Sequence, residues 1–428
     1  MPPDRPDSVT GGAARAVMPY LSRMGRKWAR PGRAFPGGGA GRGGERRAAR
    51  RGVLLCVLVA VACAAPACSS ASHPGSAGHS TPPRHGPHRG GAPPRLHVSG
   101  NRLVNSHGRP VLLHGVNRSG TEFLCVQGHG IFDGPHDQAS VSAMKAWGVN
   151  AVRVPLNEAC WNGEPYVNPA DSGTNYQDAI TAYVNLLNAN GMVAILDLHW
   201  TDGRYTGPSS ACASAQARCL KPLPDAAQAI PFWASVAGAF KGNNAVVFDL
   251  FNEPFPRRAA GSETAAWQCW LHGGSCPGIG YPVAGMQALV DAVRAAGAHN
   301  VILLSGLAWS NDLTGWLANE PSDPAHNLAA SWHSYNFNLC SSLACWTSQV
   351  APVIAQVPVV AGEIGENGCA DGYISALTNW LDSESASYLA WAWNADFPCS
   401  SGPSLITSYA GTPTPYGAGY RAHLRSLR

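Results

Sequence analysis

The 428-residue sequence contains few charged side chains, and it lacks both long apolar runs and Cys-x-x-Cys pairs. Charged residues make up 13% of the chain and apolar residues 45%, which supplies a large core and excludes a wholly disordered protein. No apolar run reaches the roughly 18 residues typical of a transmembrane helix. No Cys-x-x-Cys pair occurs, so the sequence predicts no zinc site.

The charges that are present are unevenly distributed. Residues 1–95 contain 15 Lys and Arg against 3 Asp and Glu, whereas residues 96–428 contain 15 against 23. The larger part therefore carries a formal charge of −8, although the whole chain carries +4. An acidic domain does not suit the phosphate backbone, and we expect no nucleic-acid partner.

Residues 1–68 have the layout of an export leader. An Arg-rich segment precedes the short apolar run Val53–Ala67, which indicates a signal peptide rather than a membrane-spanning helix. Cys68 is a candidate lipoprotein cysteine, although Pro66 fits that pattern poorly, so lipidation and plain secretion both stay open. We expect a secreted, extracellular protein that contacts a membrane only through such an N-terminal anchor. Residues 69–94, rich in Ser, Gly, Pro and His, are expected to form a flexible linker.

The cysteines agree with export. Three of the 13 lie in the leader, and the remaining ten are an even number, as expected for five disulfides in an oxidising compartment. Their spacing favours, without proving, these pairs: Cys212/Cys219, Cys269/Cys276, Cys340/Cys345, Cys125/Cys160 and Cys369/Cys399.

From residue 95 onward, short β-rich apolar runs alternate with longer, partly helical stretches. A hairpin with a Gly100-Asn101 turn opens this region, and we expect it to close the bottom of the fold that follows. The eight runs that follow are Val111–Asn117, Val149–Pro155, Met192–His199, Ala245–Asn252, Asn300–Ser305, Asn327–His333, Val357–Glu363 and Ser387–Asn394. The predicted helices include Tyr176–Asn190, Pro282–Ala296 and Tyr373–Glu384. This pattern predicts an α/β fold, a single (β/α)8 TIM-barrel domain over residues 95–428.

Polar residues follow seven of the eight runs, at the barrel face where active sites form. Two of them are carboxylates, Glu253 after the fourth run and Glu363 in the seventh. Paired carboxylates across a cleft can cleave a glycosidic bond, one as a proton donor and the other as a nucleophile or base. Either glutamate alone would also fit a salt bridge, and Arg153 could pair with Glu363 in that way. Tryptophans beside the strand ends, among them Trp200 and Trp391, suit the apolar faces of sugar rings.

The chain from Leu96 onward resembles glycoside hydrolase family 5, the cellulase family. The motifs that carry the resemblance occur in order: Leu113-His-Gly-Val-Asn117, Arg153-Val-Pro155, Leu196-Asp-Leu-His199, Phe251-Asn-Glu-Pro254, His333-Ser-Tyr335, Gly362-Glu-Ile-Gly365 and Trp391-Ala-Trp393-Asn394. The segment from Gly115 to Phe123, with His129 after it, looks most like the bacterial secreted endoglucanases.

The resemblance implies roles for individual residues. Glu253 would be the acid/base and Glu363 the nucleophile of a retaining mechanism, with a covalent glycosyl-enzyme and carboxyl groups about 5–5.5 Å apart. The remaining substrate-binding candidates are Arg153, His199, Asn252, His333, Tyr335, Trp391, Asn117, Glu122, His129 and Trp200. Within this set the 2-hydroxyl beside the scissile bond would contact Asn252, and Trp391 would form the floor of the −1 subsite. The family needs no metal and no cofactor.

The substrate is less sharply predicted than the chemistry. We expect a monomeric hydrolase of β-1,4-linked glucan, an endoglucanase, with a polysaccharide or oligosaccharide as partner. A β-mannanase, another β-glucanase and an exo-acting β-glucosidase are the alternatives, because the loops that rim the cleft decide among them. A non-catalytic carbohydrate-binding barrel is a more remote alternative, since both carboxylates are present. A metal-dependent barrel hydrolase is excluded by the lone His114 in the first run and by Trp391 at the eighth.

Overall fold

The computed structural model describes residues 91–202 and 220–428. Eight parallel strands close into a barrel, which confirms the predicted fold. In the order of the barrel these strands are β3 (His114–Asn117), β4 (Ala151–Asn157), β5 (Val193–Trp200), β6 (Val246–Asp249), β9 (Ile302–Ser305), β10 (Leu328–Tyr335), β11 (Val359–Gly365) and β12 (Ser387–Ala390), after which β12 pairs with β3. Every residue of β4, β5, β10 and β11 is buried, which is why apolar residues predominate on both faces of these strands instead of alternating with polar ones.

Helices surround the barrel and bury their apolar stripes against it. Within the described residues the longer ones are Gln138–Trp147, Thr174–Ala189, Ala229–Phe240, Glu263–His272, Met286–Ala295, Gly372–Ser383 and Pro415–Ser426. The shorter helical segments are Leu124–Gln127, Glu158–Asn162, Pro169–Asp171, Arg257–Ala260, Leu307–Ser310, Leu317–Asn319, Leu343–Cys345, Trp346–Val350 and Ala351–Ile354.

The prediction of one helix over Pro282–Ala296 is wrong at its start. Residues Pro282–Ala284 form strand β8, which pairs with β7 (Gly273–Ser275), and the helix begins at Met286. The two backbones meet so closely that a Cβ on Gly285 would lie 2.4 Å from a backbone carbon of His272. Tertiary pairing with β7 therefore overrides the helical pattern in these residues.

The N-terminal hairpin closes the bottom of the barrel, as predicted. Strands β1 (His97–Ser99) and β2 (Arg102–Val104) pair across Gly100, whose positive φ of 57° suits glycine. Leu96 and Leu103 are buried in one apolar cluster with side chains from the barrel interior. The hairpin thus seals the end of the barrel opposite to the strand ends that carry the polar residues. A further small pair, β13 (Ile406–Ser408) and β14 (Thr412–Pro413), lies near the C-terminus.

Four of the five expected disulfides are present, and Cys212/Cys219 lies outside the described residues. Cys125–Cys160 joins the loops that follow β3 and β4, and Cys369–Cys399 joins the loops that follow β11 and β12. Cys269–Cys276 and Cys340–Cys345 each close a short segment. The predicted leader, Cys68 and nearly all of the predicted linker also lie outside the described residues. In the part of the chain that is described, no helix is long and apolar enough to cross a membrane.

The loop-joining disulfides predict a measurable loss of stability when they are removed. Replacing Cys125 and Cys160 by alanine should lower the free energy of unfolding by about 2–4 kcal/mol, because 35 residues separate them in the chain. The matched control replaces Cys340 and Cys345, which are 5 residues apart and should cost less. Urea unfolding followed by tryptophan fluorescence measures both, and an equal or larger loss in the control would contradict the expectation.

Candidate active site

The predicted polar residues converge at the carboxyl ends of the barrel strands. Asn117 ends β3, Arg153 lies within β4, and Asn252 and Glu253 follow β6. His199, His333, Tyr335 and Glu363 lie near the ends of β5, β10 and β11, and Trp391 directly follows β12. Parallel strands of a closed barrel present these ends on one face, so side chains far apart in sequence meet there.

Arg153 lies fully buried at the centre of this cluster. Its Nε donates to Asp249 Oδ2 at 3.0 Å, and its Nη1 donates to Glu363 Oε1 at 2.8 Å. Its Nη2 donates to Asn252 Oδ1 at 2.8 Å and lies 3.0 Å from Asp197 Oδ2. Burial alone would lower the pKa of Arg153, but the charges of Asp197, Asp249 and Glu363 outweigh it and raise the pKa. Nη1 also donates to Asn117 Oδ1 at 3.1 Å. The guanidinium is thus a permanent cation that orients three carboxyl groups and two amides.

Glu363 accepts hydrogen bonds on both oxygens. Arg153 donates to Oε1, and the hydroxyl of Tyr335 donates to Oε2 at 2.6 Å. The side chain is nearly buried, with 5% of its surface exposed. Two donors, one of them charged, are the environment of a carboxylate anion held in one orientation.

Glu253 has a different environment. Its Oε1 lies 3.1 Å from Nδ1 of His333, and its side chain is 20% exposed. Burial of the carboxyl group, and then the negative charge of Glu363, raise the pKa of Glu253 well above its usual range. Ligand atoms of Glu253, His333 and Glu363 lie within 4.8 Å of one another. The two neighbouring carboxyl groups therefore have unlike surroundings: Glu363 is held by two donors, whereas Glu253 is disposed to keep a proton.

Both histidines of the cluster are electrically neutral. Burial lowers the pKa of His199 to about 3, and burial followed by the charge of Arg153 lowers the pKa of His333 well below its usual value. A Cβ on Gly362 would lie 3.3 Å from His333 Nε2, so glycine at that position gives the ring its space. Because neither ring is protonated, neither adds a positive charge that would draw the proton from Glu253.

Aromatic rings line the cluster. Trp391 is 6% exposed, and its ring stacks on His199 with centroids 5.4 Å apart and planes 20° apart. Phe337 stacks on Tyr335 at 5.1 Å, and Trp309 stacks on Phe255 at 5.4 Å. The Trp309 amide also donates to the carbonyl of Pro254, the residue after Glu253. Rings thus flank both glutamates.

Three predicted site residues lie apart from the hydrogen-bond network of the glutamates. The carboxylate of Glu122 accepts from Ser119 Oγ at 2.9 Å and from the Gly120 amide at 2.6 Å, inside its own loop. Burial raises the pKa of Glu122 to about 8. Trp200 is 5% exposed and lies against Phe123 in the apolar core, and His129 is exposed just beyond the helix Leu124–Gln127.

Two buried acids, Asp197 and Asp249, had no predicted role in the site. Both are fully buried, both contact Arg153, and Asp197 Oδ2 also lies 2.6 Å from His199 Nδ1. Desolvation raises the pKa of each to about 7 against the opposing charge of Arg153. The sequence feature that could have identified Asp197 is its position: it is an acid inside an apolar strand, two residues before His199 and therefore on the same face of β5.

The trio Glu253, His333 and Glu363 has ligand atoms close enough to hold a metal ion. Both oxygens of Glu363, however, already accept from Arg153 and Tyr335. An ion there would compete with a buried guanidinium whose other donors are also engaged. The donor set suits proton and glycosyl transfer better than metal binding.

Two neighbouring glutamates with unlike surroundings at the mouth of a (β/α)8 barrel are the arrangement found in the class of glycoside-cleaving barrels. The family model of Cellulase (glycosyl hydrolase family 5) matches residues 104–397, and the chain belongs to this family. The resemblance noted from the motifs is thereby confirmed.

Individual relatives are distant. A mannan endo-1,4-beta-mannosidase of Streptomyces lividans is 24% identical over 311 residues, which cover 70% of this chain and 66% of that enzyme, slightly under two thirds. An endoglucanase of Paenibacillus polymyxa is 22% identical over 338 residues, 70% of this chain and 79% of that protein. The solved beta-glucanase SdGluc5_26A of Saccharophagus degradans superposes with a TM-score of 0.59 at 19% identity, covering 81% of this chain and 98% of that one.

Removal of the central cation should destabilise the whole barrel. Arg153→Met leaves three buried carboxyl groups without their partner, and we expect the free energy of unfolding to fall by about 3–5 kcal/mol. The control is Arg257→Met, because Arg257 is 64% exposed and its pairing with Glu263 at 3.9 Å should contribute under about 1 kcal/mol. Urea unfolding compares the two, and similar losses would contradict a central role for Arg153.

Proposed function

We propose that this protein is a secreted, retaining β-glycosidase that hydrolyses internal bonds of β-1,4-linked glucan by double displacement. The observation that carries the proposal is the pair Glu253 and Glu363, whose carboxyl oxygens approach within 4.8 Å while their environments favour opposite charge states. This spacing is closer to the separation of about 5–5.5 Å in retaining enzymes than to the separation of about 6.5–9.5 Å in inverting ones.

In the first step Glu363 attacks the anomeric carbon. Arg153 and Tyr335 hold its carboxylate in one orientation, so little ordering is needed at the moment of attack. Glu253 gives its proton to the departing glycosidic oxygen. The raised pKa of Glu253 keeps that proton in place, so kcat/KM should fall as the pH rises through this pKa.

In the second step the roles of the charges reverse. Glu363 is esterified to the sugar and no longer repels a negative charge on Glu253. Glu253, now ionised, takes a proton from water, which attacks the anomeric carbon from the side opposite to Glu363. The ester bond between that carbon and Glu363 breaks, which frees the Glu363 carboxylate and the sugar and returns the proton to Glu253. His333 Nδ1 lies 3.1 Å from Glu253 and 3.7 Å from Glu363. It can therefore interact with whichever of the two glutamates carries the negative charge.

Two polymers compete as the natural substrate. A β-1,4-glucan is supported by the P. polymyxa endoglucanase and by the S. degradans beta-glucanase, which has also been solved in complex with cellotetraose. A β-1,4-mannan is supported equally by the S. lividans mannosidase and by a Thermomonospora fusca beta-mannanase solved with mannotriose, whose TM-score is 0.55 at 19% identity. We place glucan first because the motif set most resembles the endoglucanases.

The remaining parts of the proposal concern the setting of the enzyme. The leader and the cysteine pairs support export, with Cys68 as an alternative lipid attachment point. The enzyme would act as a monomer with no cofactor, and its partner would be the polysaccharide itself.

The substrate test compares two polymers. The protein is incubated with carboxymethylcellulose and, in parallel, with galactomannan, while viscosity and reducing ends are followed together. A fast fall in viscosity on carboxymethylcellulose is expected, because internal cleavage shortens chains before many ends appear. A fall on galactomannan alone would make the enzyme a mannanase, and reducing ends without a viscosity fall would indicate exo action. Glu363→Gln, which should be inactive on both, controls for contaminating activity.

The roles of the glutamates are tested by azide. Glu253→Ala should retain glycosylation by aryl glycosides with activated leaving groups, which need no proton, while losing about 10²–10⁴-fold on the polymer. Added azide should then yield the β-glycosyl azide, because it attacks the glycosyl-enzyme from the side opposite to Glu363. Glu363→Ala should yield the α-glycosyl azide instead. The reverse pattern would exchange the two roles, and Glu263→Ala, a surface glutamate that is 45% exposed, is the matched control.

A further inference from the structure

Asp197 and His199 lie on the same face of β5, two residues apart, beside the proposed nucleophile. His199 Nδ1 is 2.6 Å from Asp197 Oδ2 and 3.9 Å from Glu363 Oε1. Family membership and the proposed reaction assign no role to Asp197, although it is fully buried and its other oxygen, Oδ1, has no hydrogen-bond partner among the described residues. Burying an acid with one oxygen that accepts no hydrogen bond is energetically costly, so the presence of Asp197 at this position needs a physical explanation.

The contacts of Asp197 determine which nitrogen of His199 carries hydrogen. Oδ2 faces two groups, Nη2 of Arg153 at 3.0 Å and Nδ1 of His199 at 2.6 Å. Arginine can only donate, and a carboxylate that pairs with its charge can only accept. In the ion pair with Arg153, Oδ2 of Asp197 therefore accepts from both groups, and Nδ1 of His199 is the protonated nitrogen.

The other nitrogen of His199 is consequently a bare acceptor. A neutral imidazole has one N–H, and here Nδ1 holds it, so Nε2 presents a lone pair. Nε2 lies 3.4 Å from Nδ2 of Asn252. The amide of Asn252 is fixed as well, because its Oδ1 accepts from Arg153 Nη2 at 2.8 Å, which leaves Nδ2 as the outward donor.

An acceptor and a donor thus stand side by side, 3.4 Å apart, too far for a strong hydrogen bond to each other. One hydroxyl group can satisfy both, accepting from Asn252 Nδ2 and donating to His199 Nε2. We propose that Asp197 is a positioning residue that fixes His199 as the hydrogen-bond acceptor for a donating hydroxyl of the −1 sugar, the hydroxyl that also accepts from Asn252.

The assignment of the hydroxyl to a −1 sugar rests on the proposed function. The tautomer of His199 does not depend on that function. We expect the substrate to donate a hydrogen bond through this hydroxyl, and we expect the Nδ1–H tautomer of His199 to be present without substrate. These two expectations can be measured separately, so failure of the proposed reaction is distinguishable from failure of the role of Asp197.

The tautomer is measured by nitrogen NMR on the full protein labelled with ¹⁵N-histidine, with the His199 signal identified by its loss in His199→Gln. Wild-type protein is expected to show a protonated Nδ1 and a bare Nε2. Asp197→Ala removes the acceptor and should shift the ring toward the Nε2–H tautomer. Asp197→Asn can place its carbonyl oxygen where Oδ2 lies and its NH₂ at the idle position, so it should keep the wild-type tautomer. A protonated Nε2 in the wild type, or an unchanged ring in Asp197→Ala, would overturn the proposal.

The hydroxyl is tested with paired aryl glycosides that carry either the 2-hydroxyl or a 2-fluoro substituent, which can accept but cannot donate. The ratio of their glycosylation rate constants includes an inductive effect of fluorine that is common to all variants. Loss of one buried hydrogen bond corresponds to about 10- to 100-fold, so Asp197→Ala should reduce the wild-type ratio by about that factor. Asp197→Asn should keep the ratio even if its overall rate falls. A ratio that is unchanged in Asp197→Ala would refute the specificity role, because a merely structural defect slows both substrates alike.

Discussion

The site depends on one buried guanidinium. Arg153 donates to side chains that follow or belong to β3, β6 and β11 and lies beside one from β5, so strands on several sides of the barrel meet at a single planar group. A lysine could supply the charge but not the fork of donors that points in several fixed directions. The arrangement also explains why acids can lie in the barrel interior, where an unpaired charge would be costly. The catalytic geometry and the stability of the barrel therefore share one interaction.

The two neighbouring glutamates have the same side chain but unequal surroundings. Glu363 receives a charged donor and a phenol, whereas Glu253 faces a neutral histidine and the charge of Glu363 itself. Neutral histidines matter in this balance, because a protonated ring next to Glu253 would favour loss of its proton. Burial of His199 and His333 thus helps to keep the surroundings of the two glutamates unequal.

The sequence predicts the barrel well because buried parallel strands have a recognisable sequence pattern, a short apolar run that ends in a polar residue. All eight runs correspond to strands, and the hairpin turn at Gly100 was recognisable from its residues alone. The strand β8 was missed because its pairing with β7 is a tertiary effect. Asp197 and Asp249 were not assigned because a strand-interior acid gains meaning only when its partner, Arg153, is placed beside it. Glu122 and Trp200 show the converse, since position in a strand-end loop does not fix where a side chain points.

The two disulfides that join neighbouring loops divide the rim of the cleft into linked pairs. Cys125–Cys160 couples the loops after β3 and β4, and Cys369–Cys399 couples those after β11 and β12. If one loop of a pair is replaced by the loop of another barrel, the cysteine on the other loop of that pair loses its disulfide partner. Evolution or loop grafting on these sides of the rim must therefore change two loops together. The segment closed by Cys340–Cys345 contains both of its cysteines and can be exchanged alone.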